Sequence, residues 1–292
     1  QAYAGHQFGH FTILGDGRAS IIGEHLNQKN QRYDIQLKGS GRTPFSRNGD
    51  GRAALGPMLR EYLISESLYS LGIPTTRSLA VVKTGESVQR EIMHPGAILS
   101  RVASSHIRIG TFQFLATNNN ISDLENLLDY TINRHYPEIK KSKDSAVELL
   151  HSFMLRQINL VVEWMRVGFV HGVMNTDNIT LSGEAIDFGP CAFMDVYKPD
   201  TFFSSIDYNG RYSYKNQPII TKWNIARFAE SIIPLIHKNK ETSIKLATEV
   251  LELFDKYFQK NWLEMMRSKI GLIRKHRDDK KLILRLLTIM EE

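Results

Sequence analysis

His171-Gly-Val-Met-Asn-Thr-Asp-Asn178 is followed, after a strand-like Ile179-Thr-Leu181 and a short turn, by Ile186-Asp187-Phe188-Gly189. The two pieces put oxygen-bearing side chains at both ends of a short hairpin. Asn178 and Asp187 each carry a side-chain oxygen, one at either end of it. Asp177 adds a carboxylate that can take a proton from a hydroxyl. Upstream, residues 145–167 carry Leu149, Phe153, Leu160, Trp164 and Val167 at helical spacing, which predicts a long amphipathic helix ending at Gly168. The plain alternative is a turn with an aspartate near a strand end.

The order and spacing match the catalytic loop and metal aspartate of protein kinases, written H-R-D-x-x-x-x-N and D-F-G. His171 and Asn178 take the His and Asn places, and Asp187-Phe188-Gly189 takes the D-F-G place. The place of the kinase base holds Val173, which accepts no proton. The metal donors are kept while the usual base is absent, and Asp177 is the carboxylate at hand.

The 292 residues are 42% hydrophobic and 23% charged, as expected of an ordinary globular chain of one large or two modest domains. The single cysteine, Cys191, excludes an internal disulfide framework and reads as a small packed residue in a reducing compartment. No apolar run reaches the roughly 20 residues of a membrane span. The net charge of +6 raises nucleic acid as a partner. Much of the excess lies in 267–281 and near Lys140 without interleaved aromatics, so a solvated face is the expectation and no nucleic-acid partner is assigned.

From the N-terminus, Phe11-Thr-Ile-Leu-Gly-Asp-Gly-Arg18 and Ile21-Ile22 read as a hairpin turning at Gly15-Asp-Gly17, with a glycine-rich phosphate loop as the functional alternative. Tyr33 to Lys38 alternates and predicts a strand ending on a lysine. A helix follows over about 58–69, with apolar Leu59, Tyr62, Leu63 and Leu68. Its Glu61, in the first turns and nearest the strand end, is the expected partner of Lys38, with Glu66 the other acidic choice. Between strand and helix runs the polar, Gly-rich segment 39–52, long for a plain connector. Residues 71–82 read as a turn and a strand, and 88–93 and 97–102 as two more strands, so 1–105 is expected to form a small, largely antiparallel-sheet lobe with one helix. Arg101 and Arg108 flank its end, and 106–292 is expected to form a mainly helical lobe. Ser122-Asp-Leu-Glu resembles a capping start for a helix to Tyr136. Residues 222–238, 241–259 and 261–291 read as amphipathic helices.

The blocks Gln1-Ala-Tyr-Ala-Gly-His-Gln-Phe-Gly-His10, Leu14-Gly-Asp-Gly-Arg18, Gln36-Leu-Lys-Gly-Ser-Gly41, Gly49-Asp-Gly-Arg52, Gly72-Ile-Pro-Thr-Thr-Arg77 and His171 to Asn178 closely resemble the selenoprotein O (SelO/YdiU) family. They cover residues 1 to about 210. The resemblance implies an α+β, protein-kinase-like two-lobed fold that binds ATP in a flipped orientation. It implies transfer of AMP, rather than phosphate, to Ser, Thr or Tyr hydroxyls of proteins, with Mg2+ or Mn2+. UMP transfer from UTP with manganese is the variant it also implies. Carried over by motif, Gly15, Gly17, Arg18 and Lys38 would contact nucleotide, with Lys38 oriented by Glu61. Asp50 and Gly51 would hold the adenine end and Arg101 and Arg108 the phosphates. Asp177 would be the base, with Asn178 and Asp187 on the metal.

Attack on the α-phosphorus needs positive charge along the whole triphosphate, which Lys38, two arginines and a metal provide. The competing readings are a catalytically inactive ATP-binding pseudokinase and an atypical phosphotransferase using Asp177 as base. The chain starts inside a motif without Met, shows no targeting region and has no late cysteine. It therefore reads as truncated at both ends, with no thiol switch, and loss of N-terminal strands would leave a sheet edge exposed. The compartment expected is the bacterial cytoplasm, or the mitochondrion for a eukaryotic source.

Overall fold

In the computed structural model, which describes residues 3–118 and 120–292, Tyr3–Gln7 (β1) and His10–Gly15 (β2) form a two-stranded antiparallel sheet. Gln1 and Ala2, which open the first family-like block, lie outside the described residues. Ala19–Leu26 (β3) and Arg32–Lys38 (β4) pair antiparallel in a second sheet. The expected hairpin at Gly15-Asp-Gly17 is therefore corrected. β2 pairs with β1 and β3 with β4, so the turn is a corner between two sheets. The Asp16 carboxylate holds that corner. It accepts hydrogen bonds from the Arg18 N–H at 2.9 Å, the Ser46 hydroxyl at 2.5 Å and the Thr43 hydroxyl. Gly15, at φ 78°, has no Cβ because one would stand 2.0 Å from the Phe45 carbonyl oxygen.

The second sheet has the order β3-β4-β7-β5, with Ala53–Ala54 as β5, Arg77–Gln89 as β6 and Met93–Ala103 as β7. β6 also pairs with β7 along its length. The strand expected over 88–93 is instead the tip of this long hairpin. Leu55–Ser70 (α1) buries Met58, Glu61, Ser65 and Leu68, and packs on Ala53, Ala97 and Leu99. Leu59 and Leu63 point to solvent. The inward face of this helix thus carries a carboxylate where an apolar pattern would place leucine. Ile109–Thr117 (α2) and Ile121–His135 (α3) follow. The cap of α3 is Asn120, whose side chain accepts from the Asp123 N–H at 3.2 Å, rather than Ser122.

The architecture is α+β, with small antiparallel sheets and many helices. The chain divides into two compact units, one of Gln1–Pro137 with Asn175–Gly189, the other of Glu138–Met174 with Pro190–Glu292. The second contains Ser145–Val167 (α4), with the bounds the periodicity predicts, and a two-residue pairing of Phe169–Val170 (β8) with Ala192–Phe193 (β9). Gln217–Ile236 (α5), Lys240–Glu252 (α6), Phe254–Lys269 (α7) and Asp279–Glu291 (α8) complete it. Of the three helices expected here, the one over 222–238 is present as α5. The two longer ones break at Leu253 and over 270–278, where Gly271 stands at φ 76°. The core of this unit is Leu149, Phe153, Trp164, Phe228 and Ile232, all essentially inaccessible. His171 lies in it, its ring 5.3 Å from that of Trp164. Cys191 is buried here as well.

Candidate active site

The alternating burial of β4 puts Asp34, Gln36 and Lys38 on one inward face. Three polar residues at period two cannot be buried without partners, and each has one. The Lys38 ammonium donates to Glu61 Oε2 at 2.8 Å and to Asp187 Oδ1 at 2.6 Å. Gln36 Oε1 accepts from Arg101 at 2.9 Å. Arg101 also donates to Glu61 through Nε at 2.9 Å and to Asp187 Oδ1 at 2.6 Å. Arg108 and the Tyr3 hydroxyl both reach Asp187 Oδ2 at 3.3 Å. Glu66, the other acidic choice on α1, is taken by Arg77 instead.

Five charged side chains thus meet in the interior of the first unit. Lys38, Arg101 and Arg108 outnumber Glu61 and Asp187, leaving one positive charge in excess. Burial works to raise the Glu61 and Asp187 pKa values, but the adjacent cations outweigh it. Arg101 and Lys38 hold Glu61 below the usual range, and with Arg108 they hold Asp187 well below it. Asp187 stands at φ 64°, a region aspartate tolerates better than most residues.

Asp177 behaves oppositely. It is 5% exposed, and burial pushes its pKa up to about 7 against the opposing charge of Arg108, with Asp187 adding repulsion. It lies in a single 3-10 turn, Thr176–Asn178, where the Asn178 N–H bonds the Asn175 carbonyl at 2.9 Å. Ile179–Leu181 is held by isolated bridges rather than in a strand, Ile179 to Ala185 and Thr180 to Arg108.

The remaining predicted residues are placed apart from this direct network. Gly17 rests against the Tyr3 ring, one side chain away from Asp187. Arg18 is exposed. Asp50 is also exposed and is gripped by Arg90 at 2.8 and 3.1 Å, which lowers its pKa to about 2. Gly51 lies against Gly41, whose N–H donates to the Gly51 carbonyl at 3.1 Å. A cavity of about 330 Å³ is lined by Tyr3, Asp16, Gln36, His106, Arg108 and Arg134, among others. Two of its lining side chains carry buried nitrogens without a protein partner, His106 Nε2 and Arg108 Nε. Sequence reasoning missed Tyr3, Gln7, Gln36 and His106. Gln36 had a signal in the inward face it shares with Lys38, and Tyr3 and Gln7 had one in the family-like block that contains them.

Among the described residues, no three His, Cys, Asp or Glu side chains are grouped to hold a metal ion. Asn178 and Asp187 are two oxygen donors, which suits an ion that keeps several waters and takes further oxygens from a phosphate. The three cations on Asp187 and the repulsion between Asp177 and Asp187 favour an ion arriving with an anion. On these grounds the donor chemistry suits a divalent cation held together with a phosphate.

A buried cluster of this kind, with more cations than anions and a carboxylate of raised pKa beside it, has the charge to suit a polyanion. The family described as "Protein adenylyltransferase SelO" matches residues 1–292, and the chain belongs to it. The chain is 64% identical over its whole length to "Protein nucleotidyltransferase YdiU" of Pelagibacter ubique, covering 60% of that protein. Proteins of the same name from Brevibacillus brevis and Nitrosococcus oceani are 61% and 60% identical, with 60% and 59% of their lengths covered. The chain spans about 60% of the length of these curated relatives. They are bacterial, and among the described residues no helix is long and apolar enough to cross a membrane.

Proposed function

We propose that this chain carries the nucleotide-transfer site of a protein adenylyltransferase, moving AMP from ATP to Ser, Thr or Tyr hydroxyls of proteins. The observation that carries the reading is the convergence of Lys38, Arg101 and Arg108 on Asp187, within 3.3 Å and with an excess positive charge. Such a cluster suits a triphosphate, and the buried nitrogens of His106 and Arg108 mark an adjoining cavity that a ligand would satisfy. Asp177 is the base that accepts the hydroxyl proton. Asn178 and Asp187 would hold Mg2+ or Mn2+, which supplies charge neutralisation along the phosphates. Gly15, Gly17, Arg18, Asp50 and Gly51 complete the nucleotide site in this reading.

A protein-kinase-like plan accounts for the pieces: a sheet lobe over 1–105 with the strand lysine and helix glutamate, and a mainly helical lobe over 106–292. We place the reaction in the bacterial cytoplasm, as the bacterial relatives and lone buried cysteine favour.

The test uses ATP labelled on the α- or the γ-phosphate, with magnesium or manganese, and UTP labelled on its α-phosphate in parallel. Label from the α position on the chain or a protein acceptor is the expected result. Label from γ alone would make the site a phosphotransferase with Asp177 as base. ATP bound with no transfer from either position would make it an inactive nucleotide-binding fold.

A further inference from the structure

Beyond Tyr3, which reaches Asp187, the segment Gly5-His-Gln-Phe8 has no part in the chemistry assigned so far, yet it touches the catalytic turn at consecutive residues. The His6 N–H donates to Thr176 Oγ1 at 2.7 Å, and the Phe8 N–H donates to Asn175 Oδ1 at 3.1 Å. Between them, Gln7 Nε2 donates to Asp177 Oδ1 at 2.6 Å. The Thr176 hydroxyl in turn donates a hydrogen bond to Gln113 Oε1 at 2.7 Å, and Gln113 Nε2 meets His6 Nδ1 at 2.9 Å. Gln113 lies on α2, which presses on the same strand. A Cβ on Gly110 would stand 1.7 Å from the Ala4 carbonyl oxygen.

Gly5 makes the approach possible. A Cβ there would lie 2.7 Å from both the backbone nitrogen and Oδ1 of Asp177. Real side chains do not tolerate such contacts, so any larger residue would move the carboxyl. The Phe8-Gly9 turn, with both residues at positive φ, brings the strand back at the point where Phe8 meets Asn175.

We infer that β1 is the positioning element for Asp177, with Gln7 as its hydrogen-bond donor and Gly5 as the space it occupies. Among the described residues Gln7 is the side chain that hydrogen-bonds the Asp177 carboxyl, and it takes Oδ1. Oδ2 is thereby directed to the acceptor hydroxyl. As the hydroxyl oxygen bonds the α-phosphorus, its proton passes to Oδ2. The bond from the α-phosphorus to the bridging oxygen breaks, and pyrophosphate leaves with the electron pair. The inference rests on the adenylyl-transfer reading and on Asp177 as its base.

The test compares kcat and ATP KM for α-label transfer in wild type, Gln7→Leu, Gly5→Ala, Asp177→Ala and the Gln7→Leu/Asp177→Ala double variant, with Tm alongside. Gln7→Leu keeps bulk and removes the donor. A misplaced base costs on the order of 10²-fold or less in rate, so kcat should fall about 10- to 100-fold with ATP KM and Tm unchanged. In the Asp177→Ala background Gln7→Leu should cost nothing further. A dead Asp177→Ala beside an unimpaired Gln7→Leu overturns this inference alone. So does a Gln7→Leu loss that persists in full without Asp177, or that appears only in Tm. A wild-type rate for Asp177→Ala overturns the base assignment, and the inference with it.

Discussion

Protonation of His106 is a perturbation whose cost can be worked from its surroundings. The His106 N–H and Nδ1 both face Asp34 Oδ2, at 3.0 and 3.3 Å, while Arg134 of α3 holds Asp34 Oδ1 at 2.6 Å. Arg101 and Arg108 are the charged neighbours from β7 and the start of α2. Burial lowers the imidazole pKa from 6.5 to about 4; the Asp34 hydrogen bond opposes this and the two arginines add to it. Between those values the unfolded chain binds the proton and the folded one does not. The stability linked to His106 is therefore full above about pH 6.5 and is lost as pH falls toward about 4, by up to ~1.4 kcal/mol per unit. Over that window the loss is about 3 kcal/mol.

Asp177 runs the other way. Its folded pKa of about 7 lies above the ordinary 3.8, so its contribution is present at low pH and is lost as pH rises through about 7. The two trends oppose each other in a raw profile, and His106→Gln is needed to separate them. The stability difference between wild type and His106→Gln should change by about 3 kcal/mol between pH near 7 and pH near 4. Urea unfolding followed by far-UV circular dichroism reads it. Trp164, Trp223 and Trp262 all belong to the helical unit, so their fluorescence supplies a reference transition. A difference that does not vary with pH would refute the buried neutral imidazole.

Asp187→Ala should leave ATP binding without metal but remove the gain in affinity that magnesium or manganese brings; titration calorimetry showing an unchanged metal-dependent gain would rule out the ligand role. Glu61→Gln takes one carboxylate from beneath Lys38 and Arg101 and should destabilise the sheet-containing unit by about 3–5 kcal/mol, read in the dichroism transition; a loss below ~1 kcal/mol would show the cations readily find other partners. Phe153→Ala, which removes an edge-on contact with Phe228 at 5.0 Å between ring centres, should cost about 3–5 kcal/mol. That loss should appear in the tryptophan transition.

Legibility followed the range of the interaction. The helix over 145–167 was readable because its apolar residues recur every turn and Gly168 stops it. The strand ending at Lys38 was readable from alternation alone. The proximity of Glu61 to Lys38 could be argued from its place in the first turns of α1, although Leu59 and Leu63, which face solvent, suggest a different inward face. The Gly15-Asp-Gly17 turn misled because its local chemistry suits a hairpin. Its strands find partners elsewhere, β2 in a strand before it and β3 in the strand after, and local turn preference does not weigh those ladders. Asn120 displaced Ser122 as a cap because both types suit the place, and a two-residue shift is within what helix-end preferences allow.

From the sequence alone came the chemical inventory: a lysine at a strand end, a glutamate in the next helix, two arginines, and an Asp-Asn pair before an Asp-Phe-Gly. Residue type and short-range periodicity carry that much, because side-chain chemistry and backbone repeat are properties of neighbouring residues. Only the tertiary structure decided that three cations share Asp187 and that Asp177 is buried enough to hold a proton near pH 7. It alone brought Gln7 to hydrogen-bond Asp177. Gln7 and Asp177 are 170 residues apart, and such contacts depend on the packing of the whole unit, to which no local preference refers.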